Sequence, residues 1–215
     1  SNILAAVPDL PGGKMLDLGC ADGAWSTRVG EKMSASQVHG IEFDPEAAAR
    51  AQAAGVLVKI ADLGRSFPFE DGQFDFVHAN QVLEHVADVD HFASEICRIL
   101  KPGRIAVIST ENASSWHNVA ALSLGWQMFS LTNLSSRRLG LGNPFALHRN
   151  ETGASAGHIH RVIFSYRGLK EFFEAHGFEV LRIRGAGYYP LPAFIGAFDP
   201  RHAAFITATL RRKDG

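Results

Sequence analysis

Apolar positions along the chain fall into two patterns, short continuous runs and longer one-faced stripes, and these alternate with regular punctuation. Lys14-Met15-Leu16-Asp17-Leu18 is entered from Pro11-Gly12-Gly13 and left at Gly19, which predicts a buried strand bounded by turns. A helix is expected over residues 24–33 and a second strand over 37–43. Asp44-Pro45 opens a helix reaching about residue 54, with Asp44 as N-cap and Pro45 at the first helical position. Residues 56–60 and 74–79 predict a third and a fourth strand. In residues 89–100, Val89, Phe92, Ala93, Ile96, Ile99 and Leu100 share one helix face. Lys101-Pro102-Gly103 is expected to stop that helix before a fifth strand over 104–109. Strands separated by helices of this size make a parallel sheet with right-handed crossovers.

The alternation breaks over residues 111–162, which are rich in Ser, Asn and Gly and carry Trp116 and Trp126. A stretch of about fifty residues is too long for a plain loop, so a cap with helices of its own is expected. Placed over the carboxyl ends of the strands, it would act as a lid, with Gly125, Gly140, Gly142 and Gly153 as hinge points. Ser165 can N-cap a helix over 167–175 that Gly177 ends, and strands are expected over 178–183 and 203–211. No crossover helix separates these two, so they pair antiparallel. The fold class is therefore α/β: a doubly wound, mostly parallel seven-stranded sheet with the last strand antiparallel and a cap inserted after the fifth. The expected division is a core over 1–111, a cap over 112–164, and the rest of the core over 165–215.

Composition narrows the function classes. Of 215 residues, 46% are hydrophobic and 20% charged, which excludes disordered, collagen-like and coiled-coil chains. No apolar run approaches the roughly 20 residues of a membrane-spanning helix, and no signal peptide opens the chain. Two cysteines, Cys20 and Cys97, make no disulfide framework, so a cytoplasmic location is expected. The net charge of −1 conceals an asymmetry. Residues 1–100 carry 15 acidic and 7 basic side chains (−8), and residues 101–215 carry 7 acidic and 14 basic (+7). This balance does not point to nucleic acid. A monomer or homodimer is expected.

The candidate chemistry begins where the first strand ends, in Asp17-Leu18-Gly19-Cys20-Ala21-Asp22-Gly23. Glycine-containing turns between a strand's carboxyl end and a helix are where open α/β sheets bind ligands. The dinucleotide fingerprint fails, because its later glycines would fall on Ala21 and Ala24. A nicotinamide oxidoreductase is thereby disfavoured. Glu42, at the end of the second strand and 19 positions after Gly23, is placed to accept from the two hydroxyls of a ribose. Asp62 follows the third strand, where a carboxylate can accept from an adenine amino group.

With LDLGCADG, GIEFDPEAAARA, FPFEDGQFDFVHANQVLEHV and RILKPGRIAVIS in this order, the chain resembles the class I S-adenosylmethionine-dependent methyltransferases. Within that class it is most similar to the type-11 small-molecule methyltransferases, with a Rossmann-like core. The likeness is strong over 14–110 and weaker over 158–183. It implies that Asp17, Gly19, Cys20, Ala21 and Gly23 form the turn around the methionine part of the cofactor. It further implies that Glu42 holds the ribose, Phe43 lies against the adenine, Asp62 and Leu63 hold its edge, and Asn80 and Gln81 lie beneath the sulfonium. Ala21 departs from the family's usual middle glycine, and Arg104 from the usual second glycine after Lys101-Pro102-Gly103.

His85 is a candidate catalytic base or orienter of the acceptor, or else a helix-start histidine bound to backbone. Glu84 with His158 and His160 suggests a metal site, but adjacent Glu84 and His85 point in different directions on a helix, so no metal is expected. Trp116, His158, His160, Arg161 and Tyr188 are candidate substrate contacts, with Trp126, Phe129 and Tyr189 as further aromatic lining. Arg137, Arg138, Arg149 and Arg161 outweigh Glu151 in the cap, which suggests an anionic lipid, glycan or carboxylic acid as methyl acceptor. The competing reading is a non-catalytic module that binds S-adenosylmethionine or a nucleoside on the same fold.

Overall fold

The computed structural model describes residues 2–152, 157, 159–189 and 191–214. Its strands are β1 (Lys14–Leu18), β2 (Gln37–Glu42), β3 (Leu57–Ile60), β4 (Phe74–Asn80), β5 (Leu100–Glu111), β6 (Phe178–Ala186) and β7 (Phe205–Arg212). They form one sheet in the order β3-β2-β1-β4-β5-β7-β6. β1 to β5 pair in parallel, and β7 runs antiparallel to both β5 and β6. The helices are α1 (Ala24–Met33), α2 (Pro45–Ala53), α3 (Val89–Ile99), α4 (Trp116–Ser123) and α5 (Tyr166–Ala175). This is the doubly wound α/β sheet with an antiparallel last strand that the apolar pattern predicts.

Local chemistry sets the element boundaries. Asp44 caps α2 by accepting from the Glu46 amide at 2.9 Å, Asp88 caps α3 through the His91 amide at 2.9 Å, and Ser165 caps α5 through the Gly168 amide at 3.2 Å. α1 has no such side chain and starts from Gly23 in a left-handed conformation. On one face of the sheet, Phe92 and Ile96 of α3 and Leu169 and Phe173 of α5 pack over the strands. On the other, Val29 and Met33 of α1 join Ile3 and Val7 against Met15, Phe76 and Val107.

β5 departs from expectation. Lys101-Pro102-Gly103 does not separate helix from strand; α3 gives way directly to a twelve-residue strand beginning at Leu100. The pairing with β4 shifts register between Phe74 and Phe76, and this irregularity accommodates the extra residues. Asp75 then draws in Lys101 at 2.8 Å and Arg104 at 3.6 Å, so Arg104 belongs to a surface ion cluster at the amino end of the sheet.

Residues 112–152 carry α4, a 3-10 turn at Phe129–Leu131 and several tight turns. They are tied back into the core at several points. Asn118 donates to the Asn112 carbonyl and the Ser130 hydroxyl, the Ala113 amide to Phe164, and the Arg161 amide to Glu84. Gly125, Gly140 and Gly142 have positive φ, whereas the expected hinge at Gly153 lies outside the described residues.

Candidate active site

The turn after β1 is built from three left-handed residues, Gly19 (φ 70°), Ala21 (φ 47°) and Gly23 (φ 82°). A Cβ on Gly19 would come within 2.6 Å of Val82, and one on Gly23 within 3.0 Å of the Ala51 backbone. With positive φ as well, a side chain at either position would be strained and would force its neighbour to shift. Ala21 bears a Cβ in a conformation that costs an L-residue about 1–2 kcal/mol. Glycine there gives back about 0.5–1 kcal/mol of that through its freer unfolded state. Ala21→Gly is expected to stabilise the fold by about 0.5–1 kcal/mol at most, read as a higher midpoint in urea titration. A lower midpoint would show that the turn is not strained.

Two turn residues face away from the groove. Asp17 is 2% exposed, and its carboxylate accepts from Ser26 Oγ at 2.6 Å and pairs with His78 Nδ1 at 2.7 Å. It braces the turn from beneath, joining β1 to α1 and β4, and presents no side-chain oxygen to a ligand above. The Cys20 sulfur lies under β2, where a Cβ on Gly40 would meet it at 2.5 Å, and packs with Ala51 and Val56. Burial, with Asp17 and Glu42 nearby, pushes this thiol up to about 12, which removes a nucleophilic role.

Glu42 sits where the sequence pattern places it, at the carboxyl end of β2. Its Oε2 accepts from the Ala21 amide at 2.9 Å, and its Oε1 from the Phe43 and Asp44 amides at 2.8 and 2.9 Å. The carboxylate thus ties the β1 turn to the β2 turn. Oε1 has both lone pairs occupied, and Oε2 keeps one for a further donor. Beside it, Phe43 and Ile60 are 70% and 58% exposed, an apolar rim without protein cover. Asp62 is exposed and accepts from the Gly64 amide at 2.8 Å, which shapes the turn after β3, and Leu63 packs half-buried against the core. Asn80 ends β4. Gln81 follows in a left-handed conformation (φ 56°), its amide bonded to Ser109 at 2.8 Å.

Val82, which abuts Gly19, leads into a 3-10 turn at Leu83–His85. His85 emerges from it into a cavity of about 650 Å³. Glu111 at the end of β5, Phe205 at the start of β7 and Tyr189 beyond β6 mark the cavity as lying at the carboxyl edge of the parallel strands. The opposite wall comes from the segment after β5, with His117, Phe129, Phe145 and His160. The lining is mostly apolar and aromatic, the composition of a small-molecule pocket. His85 Nδ1 hydrogen-bonds to the Ile159 carbonyl at 3.0 Å, and its ring meets that of His160 edge-on, 4.9 Å between centres. His117 packs edge-on against Phe129 and Tyr189, and burial pulls its imidazole below the ordinary value.

Of the expected acceptor-side residues, His160, Phe129 and Tyr189 line this cavity, Trp126 and Arg161 do not, and His158 lies outside the described residues. Trp116 and Tyr188 do not line the cavity. Trp116 stacks on His202 at 4.2 Å and donates to the Tyr188 hydroxyl at 2.8 Å, which itself donates to Asp199 at 2.6 Å. That cluster braces the β6–β7 connection. Arg161 is exposed, and its backbone amide holds the Glu84 carbonyl. Arg137, Arg138 and Arg149 are exposed too, Arg138 bonding Asn150 and Arg149 the Asn143 carbonyl. The cap arginines therefore do not converge on the cavity. Glu111, His117, Phe145 and Phe205 were not singled out by sequence, because no local spacing marks residues that meet only through the fold.

Glu84 is 1% exposed, with Oε2 accepting from Thr110 at 2.8 Å. Burial pushes its carboxyl up to about 7. The folded state therefore holds a proton that an unfolded chain releases above its ordinary value of 4.5. Stability is lost as pH rises from about 4.5 to about 7, on the order of 2–4 kcal/mol, and levels off beyond. Glu84→Gln keeps the bond to Thr110 and is expected to flatten this slope in melting curves between pH 5 and 8. An identical slope in the variant would assign the pH dependence elsewhere.

A sequence model of the methyltransferase domain matches residues 1–183. The chain belongs to the methyltransferase-domain family. S-adenosylmethionine is the cofactor this family implies, and the Glu42 carboxylate beside the exposed face of Phe43 fits its ribose and adenine. Among curated relatives, a probable tocopherol O-methyltransferase of Oryza sativa is 35% identical over 116 residues, 49% of this chain and 32% of the relative. A norajmaline N-methyltransferase of Rauvolfia serpentina is 37% identical over 101 residues, 44% of this chain and 34% of the relative. The matched region spans about a third of the length of these two curated relatives. An S-adenosylmethionine-dependent methyltransferase structure from Mesorhizobium loti superposes with a TM-score of 0.65 at 20% identity, covering 98% of this chain and 96% of that one. This last likeness concerns the fold. Among the described residues no helix is long and apolar enough to cross a membrane.

Proposed function

We propose that this domain transfers a methyl group from S-adenosylmethionine to a small, largely apolar acceptor seated in the 650 Å³ cavity. The observation that supports the reading is the approach of Val82 to Gly19: Val82 leads into the 3-10 turn Leu83–His85, so the chain passes from the glycine turn to the cavity-lining His85 within three residues. The bound cofactor supplies an electrophilic methyl group, so the protein's task is orientation and exclusion of water. In this assignment Gly19, Ala21 and Gly23 shape the methionine end, with Asp17 and Cys20 acting from below. Glu42 receives the ribose through Oε2, Phe43 and Leu63 cover the adenine, and Asp62 meets its edge. Asn80 and Gln81 lie next to the sulfonium.

The segment 112–164 is assigned the acceptor side. Its aromatic wall supports an apolar acceptor better than an anionic one, since a carboxylate or phosphate would sit beside Glu111 with the arginines elsewhere. The names of the relatives divide between O- and N-transfer, so they leave the acceptor atom open.

Calorimetric titration with S-adenosylmethionine, S-adenosylhomocysteine and NAD tests the donor. The first two are expected to bind and NAD is not. Failure of both sulfur nucleosides to bind would end the reading. Binding with no methyl transfer to any apolar phenol or amine would leave a regulatory module.

A further inference from the structure

The cavity carries a pair of histidines whose hydrogen bonds define what each can do. His160 Nδ1 lies 2.6 Å from the Ser130 carbonyl, and His85 Nδ1 lies 3.0 Å from the Ile159 carbonyl. A carbonyl only accepts, so in each ring Nδ1 carries the hydrogen. In the neutral ring the lone pair is then on Nε2, the atom a base uses. The bond to Ser130, the buried centre of the 3-10 turn Phe129–Leu131, holds the His160 ring in place on the cavity wall. His160 is further pinned by its own amide, which donates to the Asn133 carbonyl at 3.1 Å.

We propose that His160 is a general base for an acceptor carrying a neutral aromatic hydroxyl, so that the domain methylates oxygen. This rests on the methyl-transfer reading above and deepens it. An un-ionised phenol is a poor nucleophile at neutral pH, since its ordinary pKa is about 10. Removal of its proton during the transfer makes the oxygen competent. The hydroxyl O–H bond breaks and its proton passes to Nε2. The oxygen electron pair forms the bond to the methyl carbon as the sulfur–methyl bond breaks and its pair returns to sulfur. The imidazolium later loses its proton to solvent.

Several groups around the pair favour this division of labour. Glu111, on the cavity wall, places a carboxylate on the side where an imidazolium forms, and the Glu84 carbonyl holds the backbone amides of Arg161 and Val162 next to His160. His85 faces His160 edge-on, with 4.9 Å between ring centres. His117, whose imidazole burial pulls below its ordinary value, packs edge-on with Phe129 and Tyr189 in the aromatic wall against which a planar ring can pack. His148, beside Glu151 at 3.2 Å, completes the titratable set lining the cavity among the described residues.

The test uses 4-nitrophenol, whose absorbance distinguishes phenol from phenolate, titrated into the full chain with and without S-adenosylhomocysteine. Below the free phenol's own ionisation point, the wild-type protein is expected to bind it with a clear phenolate band. In His160→Gln, which has no basic nitrogen to take the proton, the bound phenolate fraction is expected to fall at least about tenfold, a displacement of about one pKa unit. Ring-nitrogen NMR of the wild-type protein gives a second reading, in which His160 starts as the Nδ1–H tautomer and becomes doubly protonated when the phenol binds. A wild-type protein that does not bind the phenol, or binds it only un-ionised, overturns the proposal. So does an unchanged phenolate band in His160→Gln, or a His160 ring that stays neutral in the complex. None of these readings needs methyl transfer, so they fail separately from the cofactor assignment, which rests on the calorimetry.

Discussion

Glu42→Ala is expected to weaken S-adenosylmethionine binding by about tenfold to a hundredfold while leaving the far-ultraviolet circular dichroism unchanged. Oε2 holds the Ala21 amide and keeps one lone pair, which is assigned to a ribose hydroxyl. A charge-assisted hydrogen bond of this kind contributes about 1.5–3 kcal/mol, and 1.4 kcal/mol is one decade of affinity. The same substitution releases three backbone amides, those of Ala21, Phe43 and Asp44. All three bonds are at the surface, so water replaces the lost acceptor and the stability cost stays small. Glu42→Gln keeps one acceptor oxygen and the side-chain shape, and should lie between wild type and alanine. The measurement is calorimetric titration of the folded variants. Wild-type affinity in Glu42→Ala would refute the ribose assignment.

Asp17→Ala should produce the largest loss of stability among residues of the site. The carboxylate is buried and satisfies both Ser26 Oγ and His78 Nδ1. Its removal strands two buried polar groups, each costing about 1–3 kcal/mol when left unpaired. His78 is poorly placed to compensate, because its Nε2 is buried and without a partner among the described residues. The total, about 2–5 kcal/mol, corresponds to a fall in melting temperature of roughly 5–15 °C for a chain of this size. The urea midpoint should fall with an unchanged slope, since the same surface is exposed on unfolding. Cofactor affinity should fall as well, although Asp17 presents no side-chain oxygen to the ligand, because the turn it braces loses its support. Melting within a degree of wild type would show that the network beneath the turn is dispensable.

The doubly wound core was legible in the sequence because its information is local. Lys14–Leu18 reads as a strand from five neighbours and two flanking glycine turns, and Asp44-Pro45 reads as a helix start from two residues. Where local rules met a tertiary one, they gave way. Lys101-Pro102-Gly103 has every mark of a stop, yet pairing across from Phe74 draws Leu100 into the sheet and the tripeptide becomes an irregularity within β5. Ala21 shows the reverse case, where the turn demands a left-handed residue that composition alone does not supply.

At the site, the sequence by itself determined which residues stand at the ends of β1, β2 and β4, since a strand's last residue and the turn after it are set by chain order. Gly19, Glu42 and Gln81 were therefore in view from the start. The direction of the side chains was not. Asp17 and Cys20 are neighbours of the groove in sequence, but they point into the core, because Ser26, His78 and Gly40 lie beneath them in a sheet that only folding assembles. The acceptor cavity belongs wholly to the tertiary structure. His85, Glu111, His160 and Phe205 come from four separate parts of the chain, and the cap's arginines look like one cluster in sequence yet spread over the surface. Chain order specifies where a residue can be reached from its neighbours, and packing alone decides which distant side chains share a wall.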